Sequence, residues 1–263
     1  MADMDRFLEG RHAIVTGGSR GIGAAVASEL VSRGAKVTIM GRNREALERK
    51  AESLRGNAGV TVAVEQCDIA DGESVTAAFS SAVANLGPAY ILVNNAGTAK
   101  SRTFTQLTRD VWDETINVNL TGTYLCTLEV LPSMIEAKAG RIVNVASTAG
   151  LRGYRTMAAY CASKHGVLGL TKVLALETAK QGITVNAVCP SYIDTYLTSL
   201  AVDNLVAKLN KTPDEAMGML TGAIPRGKLI TPEEVASAVG WLCSPAASGV
   251  TGVALPIAGG EVS

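Results

Sequence analysis

A serine, a tyrosine and a lysine lie close together in the segment from Ser147 to Lys164. Tyr160 follows Ser147 by thirteen residues and precedes Lys164 by four, which is about one helical turn. A tyrosine with its ordinary pKa of about 10 is a poor base near neutrality. A lysine on the same helical face carries a positive charge that favours the phenolate and lowers that pKa. These residues are therefore suited to exchange a proton with an alcohol or carbonyl oxygen, although an ordinary amphipathic helix would also accommodate the tyrosine and the lysine.

A glycine-rich turn, TGGSRGIG at residues 16–23, follows the first predicted strand and opens the first predicted helix. Gly17 permits the tight turn, Gly21 lets the backbone approach a pyrophosphate, and Gly23 lets the helix and the strand pack closely. The helix N-terminus then faces the negative charge. The spacing is G-x-x-x-G-x-G rather than the commoner G-x-G-x-x-G, so a plain turn between a strand and a helix is the alternative.

The end of the second predicted strand indicates which nicotinamide cofactor would bind. A carboxylate there would hydrogen-bond a ribose 2′-hydroxyl and repel a 2′-phosphate. Residues 40–42 are Met, Gly and Arg, so this position has no carboxylate. Arg42 can form charge-assisted hydrogen bonds with a 2′-phosphate, and Arg20 in the glycine-rich turn lies on the same side. We therefore predict NADP(H), whereas two solvated surface arginines would leave NAD(H) open.

Polar residues also follow the third and fourth predicted strands. Asn94 and Asn95 begin the segment NNAG at residues 94–97, which one interpretation makes a surface turn. After an apolar strand, two successive amides are also placed to tie neighbouring strands together and to border the dinucleotide. Asp68, which follows the third strand, is similarly placed to reach an adenine.

Strands alternate with helices along the chain. The predicted strands are 11–16, 35–40, 60–66, 89–94, 141–147, 183–189 and 252–257. The predicted helices are one beginning near residue 22, then 43–55, 72–86, 109–138 with an interruption near Gly122, 157–180 and 232–243, and 195–222 is rich in helix formers. This order predicts the α/β class, as a single-domain Rossmann fold over 1–263. Its doubly wound parallel sheet has about seven strands, helices on both faces and ligands at the carboxyl ends of the strands.

Composition excludes several classes of function. The 263 residues are 47% hydrophobic and carry 24 basic and 24 acidic side chains, so there is no charge excess to attract nucleic acid or acidic membranes. The uncharged run 235–260 contains Pro245, Pro256 and several glycines, which predict a helix, a loop and a strand instead of a membrane span. Five cysteines without metal-ligand spacing fit reduced thiols in a cytoplasm, and we predict no metal site. The charged N-terminus is unlike a signal peptide.

Five motifs in order carry a family resemblance. With TGGSRGIG, NNAG, NVNLTG at 117–122, Ser147 and YCASK at 160–164, the sequence resembles the short-chain dehydrogenase/reductase family over almost its whole length. The resemblance is greatest to members that reduce 3-oxoacyl thioesters and polyketides.

The resemblance implies a role for each of four residues. Tyr160 would be the general acid in reduction or the base in oxidation, and Ser147 would hydrogen-bond the carbonyl. Lys164 would hold the nicotinamide ribose and lower the pKa of Tyr160. Asn119 would position a water in a proton relay. The implied cofactor contacts are Gly17, Ser19, Arg20, Gly21, Ile22, Gly23, Arg42, Asp68, Ile69, Asn95, Gly97, Tyr160, Lys164, Ile193 and Thr195. The implied substrate contacts are Ser147, Tyr154, Tyr160 and Tyr192.

Two positions depart from the family pattern. After the sixth strand a Pro-Gly pair is replaced by Pro190 and Ser191. In the family this turn borders the nicotinamide carboxamide, so the serine either narrows the turn and leaves Tyr192 facing the substrate, or is a harmless substitution. Near the C-terminus an Asp-Gly-Gly is replaced by Ala258 and two glycines, which puts local loop contacts in doubt.

The resemblance also implies a substrate lid at about 192–224 and a homotetramer built on the helices near 109–138 and 157–180. Sequence does not distinguish the tetramer from a dimer. Apolar residues in the lid fit either a pocket lining or ordinary core packing. We expect NADPH-linked reduction of a ketone, with a 3-oxoacyl thioester as substrate. The alternatives are oxidation of a secondary alcohol or 3-hydroxyacid, and a non-catalytic dinucleotide-binding redox sensor.

Overall fold

A seven-stranded parallel sheet organises the chain. The computed structural model describes residues 6–56, 60–194, 198, 202, 206 and 211–262. The strands are β1 His12–Thr16, β2 Lys36–Gly41, β3 Val62–Gln66, β4 Ile91–Asn94, β5 Gly140–Val145, β6 Ile183–Pro190 and β7 Ala254–Ile257. Their order is β3-β2-β1-β4-β5-β6-β7, and every neighbouring pair is parallel. The predicted fold class and strand number are confirmed.

Helices cover both faces of this sheet. The helices are α1 Gly21–Ser32, α2 Arg44–Arg55, α3 Gly72–Leu86, α4 Arg109–Ile116, α5 Gly122–Ala137, α6 Ala158–Thr178, α7 Pro213–Thr221 and α8 Pro232–Leu242. Along β1, Ala13 and Val15 belong to the apolar core that also contains residues of α1, α2 and α8, whereas Ile14 belongs to the core that contains residues of α3, α5 and α6. Because both faces of the central strands β1, β4, β5 and β6 are buried, these strands are mostly apolar and lack polar alternation.

The long helix predicted at 109–138 is interrupted, as expected, near Gly122. A π-helical segment at Asn117–Thr121 separates α4 from α5. A Cβ atom on Gly122 would come within 2.8 Å of the Ile69 backbone oxygen, so this residue must be small for α5 to lie against the loop after β3. The interruption contains Asn119, which contacts Thr98 in the segment that follows β4.

The uncharged run at 235–260 breaks up as predicted. It contains most of α8, a short 3₁₀ turn at Pro245–Ala247 and β7. Within the described ranges, the structure contains no helix with the length and apolar character needed to cross a membrane. All five cysteines carry free thiols, and each except Cys161 is buried.

Candidate active site

Tyr160 and Lys164 lie one turn apart on α6 and face the end of β5. The ammonium of Lys164 is 5.7 Å from the centre of the Tyr160 ring. The same Nζ donates a hydrogen bond of 2.7 Å to the carbonyl oxygen of Val145, the last residue of β5. Lys164 is only 5% exposed, whereas Tyr160 is half-buried. The spacing that suggested a shared helical face therefore places both side chains at the carboxyl edge of the sheet.

Ser147 is held between the ends of two neighbouring strands. Its hydroxyl accepts a hydrogen bond of 3.1 Å from the backbone N–H of Ala149 and donates one of 3.4 Å to the carbonyl oxygen of Pro190. Ser147 lies two residues after β5, and Pro190 is the last residue of β6. The donated bond is long and therefore weak, so the hydroxyl can redirect its hydrogen bond to a better acceptor at low cost.

Asn119 lies in the π-helical segment and is buried. Its Oδ1 accepts a hydrogen bond of 2.8 Å from the N–H of Thr98, and its Nδ2 donates to the Thr98 carbonyl at 2.9 Å and to Ser163 Oγ at 3.0 Å. A Cβ on Gly97 would lie 3.2 Å from Asn119 Oδ1 and 3.9 Å from Lys164 Nζ. The structure thus brings the NNAG segment, the π-helical segment and α6 to one point.

Burial shifts both titrating groups toward their neutral forms. Loss of hydration raises the pKa of Tyr160, and the neighbouring Ser147 hydroxyl offsets this in part. Burial lowers the pKa of Lys164 to about 8. In the chain by itself burial is the largest influence on the pKa of Tyr160, and the lowering of that pKa by Lys164 stays a prediction. A phenol that retains its proton is suited to act as an acid.

The glycine-rich turn has the backbone that its residue types predict. Gly17 and Gly21 have φ angles of +66° and +54°, in the left-handed region that favours glycine. A Cβ on Gly23 would lie 2.2 Å from the Gly17 carbonyl oxygen and 2.5 Å from Asn95 Nδ2, so the close packing is against the turn itself and against the segment after β4. Arg20 is the N-cap residue of α1, and its side chain makes no capping hydrogen bond within the described part of the chain. The first N–H groups of α1 can therefore receive an anion.

Ser19 and Ile22 lie in the same turn and are both partly exposed. Arg20 and Arg42 are exposed near the carboxyl ends of β1 and β2, which are neighbours in the sheet. Neither guanidinium has a hydrogen-bond or ion-pair partner within the described ranges. The two cations are thus available to a ligand on this side of the sheet.

Asn94 and Asn95 tie three strands together, as one of the two interpretations predicted. Asn95 donates from Nδ2 to the carbonyl oxygens of Thr16 and Gly17, at 3.0 and 3.2 Å. Asn94 Nδ2 donates to Asn144 Oδ1 at 2.9 Å, across from β4 to β5. Sequence reasoning missed Asn144. A lone amide inside the otherwise apolar run RIVNVAS was the signal that could have identified it.

Asp68 and Ile69 follow β3 and have different roles. One carboxylate oxygen of Asp68 accepts a hydrogen bond of 3.1 Å from the N–H of Ala70, and Asp68 stays partly exposed. Ile69 is buried against Gly122. Ile193 is buried and pairs with Ile230 through an isolated parallel bridge. Thr195 lies outside the described residues.

The predicted substrate residues Tyr154 and Tyr192 lie in different surroundings. The hydroxyl of Tyr154 is 2.7 Å from Thr148 Oγ1 and donates to Glu261 at 2.6 Å, so its polar end is already bonded within the protein. Tyr192 packs against the lid residues Val202, Ala216 and Leu220. Ser191 donates to Glu261. Sequence reasoning did not identify Glu261.

A groove of about 360 Å³ lies apart from these residues, on the outer side of α1 and against the start of α8. Its lining is Gly21, Ala24, Ala25, Ser28, Lys50, Asp194, Pro232 and Glu233. It contains none of Asn119, Ser147, Tyr160 and Lys164, so it is not where those side chains could act.

Known proteins share this sequence and fold. Residues 11–205 match the model of a family described as short chain dehydrogenase. The putative ketoacyl reductase 1 of the granaticin polyketide synthase of Streptomyces violaceoruber is 39% identical over 250 residues, which cover 94% of this chain and 92% of that protein. D-threitol dehydrogenase of Mycolicibacterium smegmatis is 39% identical over 258 residues, covering 98% of this chain and 95% of that protein. A crystal structure of a tryptophan variant of actinorhodin polyketide ketoreductase with NADPH has a TM-score of 0.92 and 38% identity, covering 95% of this chain and 97% of that one.

Proposed function

The chain belongs to the short chain dehydrogenase family of NAD(P)-dependent oxidoreductases, and on this premise we propose that it uses NADPH to reduce a ketone to a secondary alcohol. The proposed substrate is a 3-oxoacyl thioester or a similar apolar ketone. The observation that carries the proposal is the meeting of Ser147, Tyr160 and Lys164 at the ends of β5 and β6, with the Tyr160 pKa raised by burial. The name of the ketoacyl reductase relative supports the substrate class.

In this proposal the protein supplies the proton and the positioning. Ser147 exchanges its long hydrogen bond to Pro190 for one to the substrate carbonyl. Tyr160 donates its proton as negative charge develops on that oxygen, which lowers the barrier by general acid catalysis. In this proposal Lys164, held by Val145, binds the nicotinamide ribose, and Asn119, held by Thr98, positions a water that returns the proton to the site.

The residues present fit a phosphorylated dinucleotide. The open N-terminus of α1 suits the pyrophosphate, and the guanidinium groups of Arg20 and Arg42, which have no partner among the described residues, suit a 2′-phosphate. When bound, NADPH supplies the hydride. The NADPH named with the actinorhodin ketoreductase structure supports this choice.

The substrate pocket is proposed to lie under the lid at about 192–224. Tyr192, two residues after β6, packs against the apolar lid cluster of Val202, Ala216 and Leu220. An acyl chain would be favoured there over a charged substrate, because burying apolar surface is favourable and burying an unpaired charge is costly.

Measurement of NADPH consumption with acetoacetyl and longer 3-oxoacyl thioesters tests the proposal. Tyr160→Phe removes the proton donor and should lower kcat by about 10²- to 10⁴-fold. The same variant should bind NADPH with an affinity close to that of the wild type, because the ring is retained. No turnover above this variant on any of the thioesters would overturn the proposal.

A second candidate is oxidation of a secondary alcohol. The similarity to D-threitol dehydrogenase favours it, since the identity is the same 39% as to the ketoacyl reductase. Steady-state kinetics with NAD⁺ and NADP⁺ on secondary alcohols and 3-hydroxyacids distinguish the two. A large preference for NAD⁺ and for alcohol oxidation would favour this candidate, and cofactor binding without turnover on any carbonyl or alcohol would favour a redox sensor.

We also propose a homotetramer that covers the apolar surfaces of α5 and α6. Tyr124, Leu128 and Ile135 on α5, and Val173 and Leu176 on α6, are exposed, and Leu176 is 83% exposed. Apolar patches of this kind mark contact surfaces. Light scattering should give four times the mass of the chain, and Leu176→Glu should lower the measured mass. A wild-type monomer would contradict this.

A further inference from the structure

A fully buried carboxylate near the C-terminus accepts hydrogen bonds from three side chains. The side chain of Glu261 is 0% exposed. Its Oε1 accepts from the Tyr154 hydroxyl at 2.6 Å and from Arg152 Nη2 at 2.8 Å, and its Oε2 accepts from the Ser191 hydroxyl. A buried carboxylate without such partners would be strongly unfavourable. The three donors therefore have to stay close together for the C-terminal segment to remain packed as it is.

These donors belong to the two segments that flank Ser147. Tyr154 contacts Thr148, the residue after Ser147, at 2.7 Å between their hydroxyl oxygens. Ser191 follows Pro190, whose carbonyl oxygen accepts the hydrogen bond of Ser147. One carboxylate is thus linked through Tyr154 to the residue after Ser147, and it bonds directly to Ser191, the residue after Pro190.

Residues particular to this chain make the link possible. A glycine at position 191, as in the family pattern, would have no hydroxyl to donate. Backbone bonds hold the carboxylate in reach, because the N–H of Ser191 donates to Ile257 at 3.2 Å and that of Glu261 donates to Ala258 at 3.1 Å. The guanidinium of Arg152 also lies over the Tyr154 ring, 4.7 Å from its centre. The departures from the family pattern near 191 and 258 therefore occur in two segments that contact each other.

We propose that Glu261 is a positioning residue for ketone reduction, and that it acts through Tyr154 and Ser191 to hold the hydroxyl of Ser147 in line with the substrate carbonyl. This rests on the proposed function. Glu261 itself does not contact the reacting atoms. The residues proposed to hold NADPH phosphates, Arg20 and Arg42, lie at the other half of the sheet, so we expect the phosphate contacts of the cofactor to persist without this carboxylate.

Glu261→Gln tests the proposal, because it keeps the size of the side chain and removes its charge and one acceptor. Glu52→Gln, on the exposed side of α2, is the matched control. With an acetoacetyl thioester we expect kcat to fall by about 10- to 100-fold in the first variant, the loss typical of a misplaced reacting group, and to stay unchanged in the control. The affinity for NADPH should stay within about twofold in both variants. An unchanged kcat in Glu261→Gln would overturn the proposal.

Combination with Ser147→Ala separates positioning from general damage to the fold. If Glu261 acts through Ser147, then Glu261→Gln should cause no further loss of rate once the serine hydroxyl is absent. If Glu261→Gln lowered kcat by the same factor in the Ser147→Ala background as in the wild type, the proposal would be overturned, because the carboxylate would then support the protein structure in general.

Amide hydrogen exchange supplies a measurement that does not depend on turnover. We expect residues 148–154 to exchange faster in Glu261→Gln than in Glu52→Gln, while α2 and α3 stay equally protected. If the wild type reduced no ketone, the proposed function would fail, and exchange would still decide whether Glu261 holds this segment. Equal protection of 148–154 in both variants would overturn the link.

Discussion

Replacing the buried lysine should stabilise the fold while abolishing activity. Burial lowers the pKa of Lys164 from its ordinary 10.5 to about 8. At 1.36 kcal/mol per pKa unit, keeping this ammonium charged inside the protein costs about 3 kcal/mol at pH 7. Lys164→Met removes that cost and also removes the hydrogen bond to Val145, a bond to a charged group worth about 1.5–3 kcal/mol. We therefore expect a net gain of about 1 kcal/mol in the free energy of unfolding.

The pH dependence isolates the charge from the packing. Between pH 8 and 10.5 the unfolded chain binds more protons at Lys164 than the folded chain does, so the wild type gains stability from this residue as the pH rises. The cost falls from about 3 kcal/mol at pH 7 to about 1 kcal/mol at pH 9.5. The stability difference between Lys164→Met and the wild type should therefore shift by about 2 kcal/mol in favour of the wild type over this range.

Urea unfolding of both proteins at pH 7 and pH 9.5, at equal protein concentration and without dinucleotide, measures this shift. Lys172→Met, exposed on the same helix, is the control and should show a difference that does not depend on pH. A stability difference for Lys164→Met that stays constant between the two pH values would refute the reasoning. So would a difference that moves in favour of the variant as the pH rises.

Three further predictions concern the cofactor, a helix end and the proton donor. Arg42→Ala should raise the KM for NADPH by about 10- to 100-fold through loss of charge-assisted bonds, with KM for NADH unchanged, whereas Arg44→Ala should change neither; equal losses with both cofactors would contradict this. Lys138 follows the last residue of α5 with a φ of +48°, which favours glycine. Thermal unfolding should therefore show that Lys138→Gly raises the free energy of unfolding by about 0.5–1 kcal/mol, whereas the control Glu136→Gly, inside the helix, lowers it. Because burial raises the pKa of Tyr160, kcat for reduction should stay level from pH 6 to 7.5, and a fall within that range in a pH–rate profile would contradict the assignment of this phenol as the acid.

Much of the fold could be predicted because its signals are local. The parallel sheet was predicted from apolar runs separated by helical periodicity, and each of its seven strands was predicted to within a few residues. The helix at 72–86 was predicted with its observed bounds, since Asp71 caps it and Gly87 follows it. The 109–138 region was harder, because a π-helical segment keeps helical spacing on both sides.

In the candidate site, too, the residues with local signals could be predicted from the sequence and the others could not. Tyr160 and Lys164 could be paired from their spacing, and Gly17 and Gly21 from the turn they form. Asn144 was missed because the role of a single amide in a strand depends on its hydrogen-bond partner, which here is Asn94 on the neighbouring strand.

Sequence by itself determined which residue types meet at the carboxyl edge of the sheet, because parallel strands end together and helical spacing sets the face of a side chain. Only the tertiary structure decided how those side chains titrate and what holds them. The raised pKa of Tyr160 depends chiefly on how much water the surrounding elements exclude, which the spacing of residues along one helix does not reveal. The link from Glu261 to Tyr154 joins residues 107 apart in the chain, and it exists because β6 and β7 bring the C-terminal segment beside the loop after Ser147.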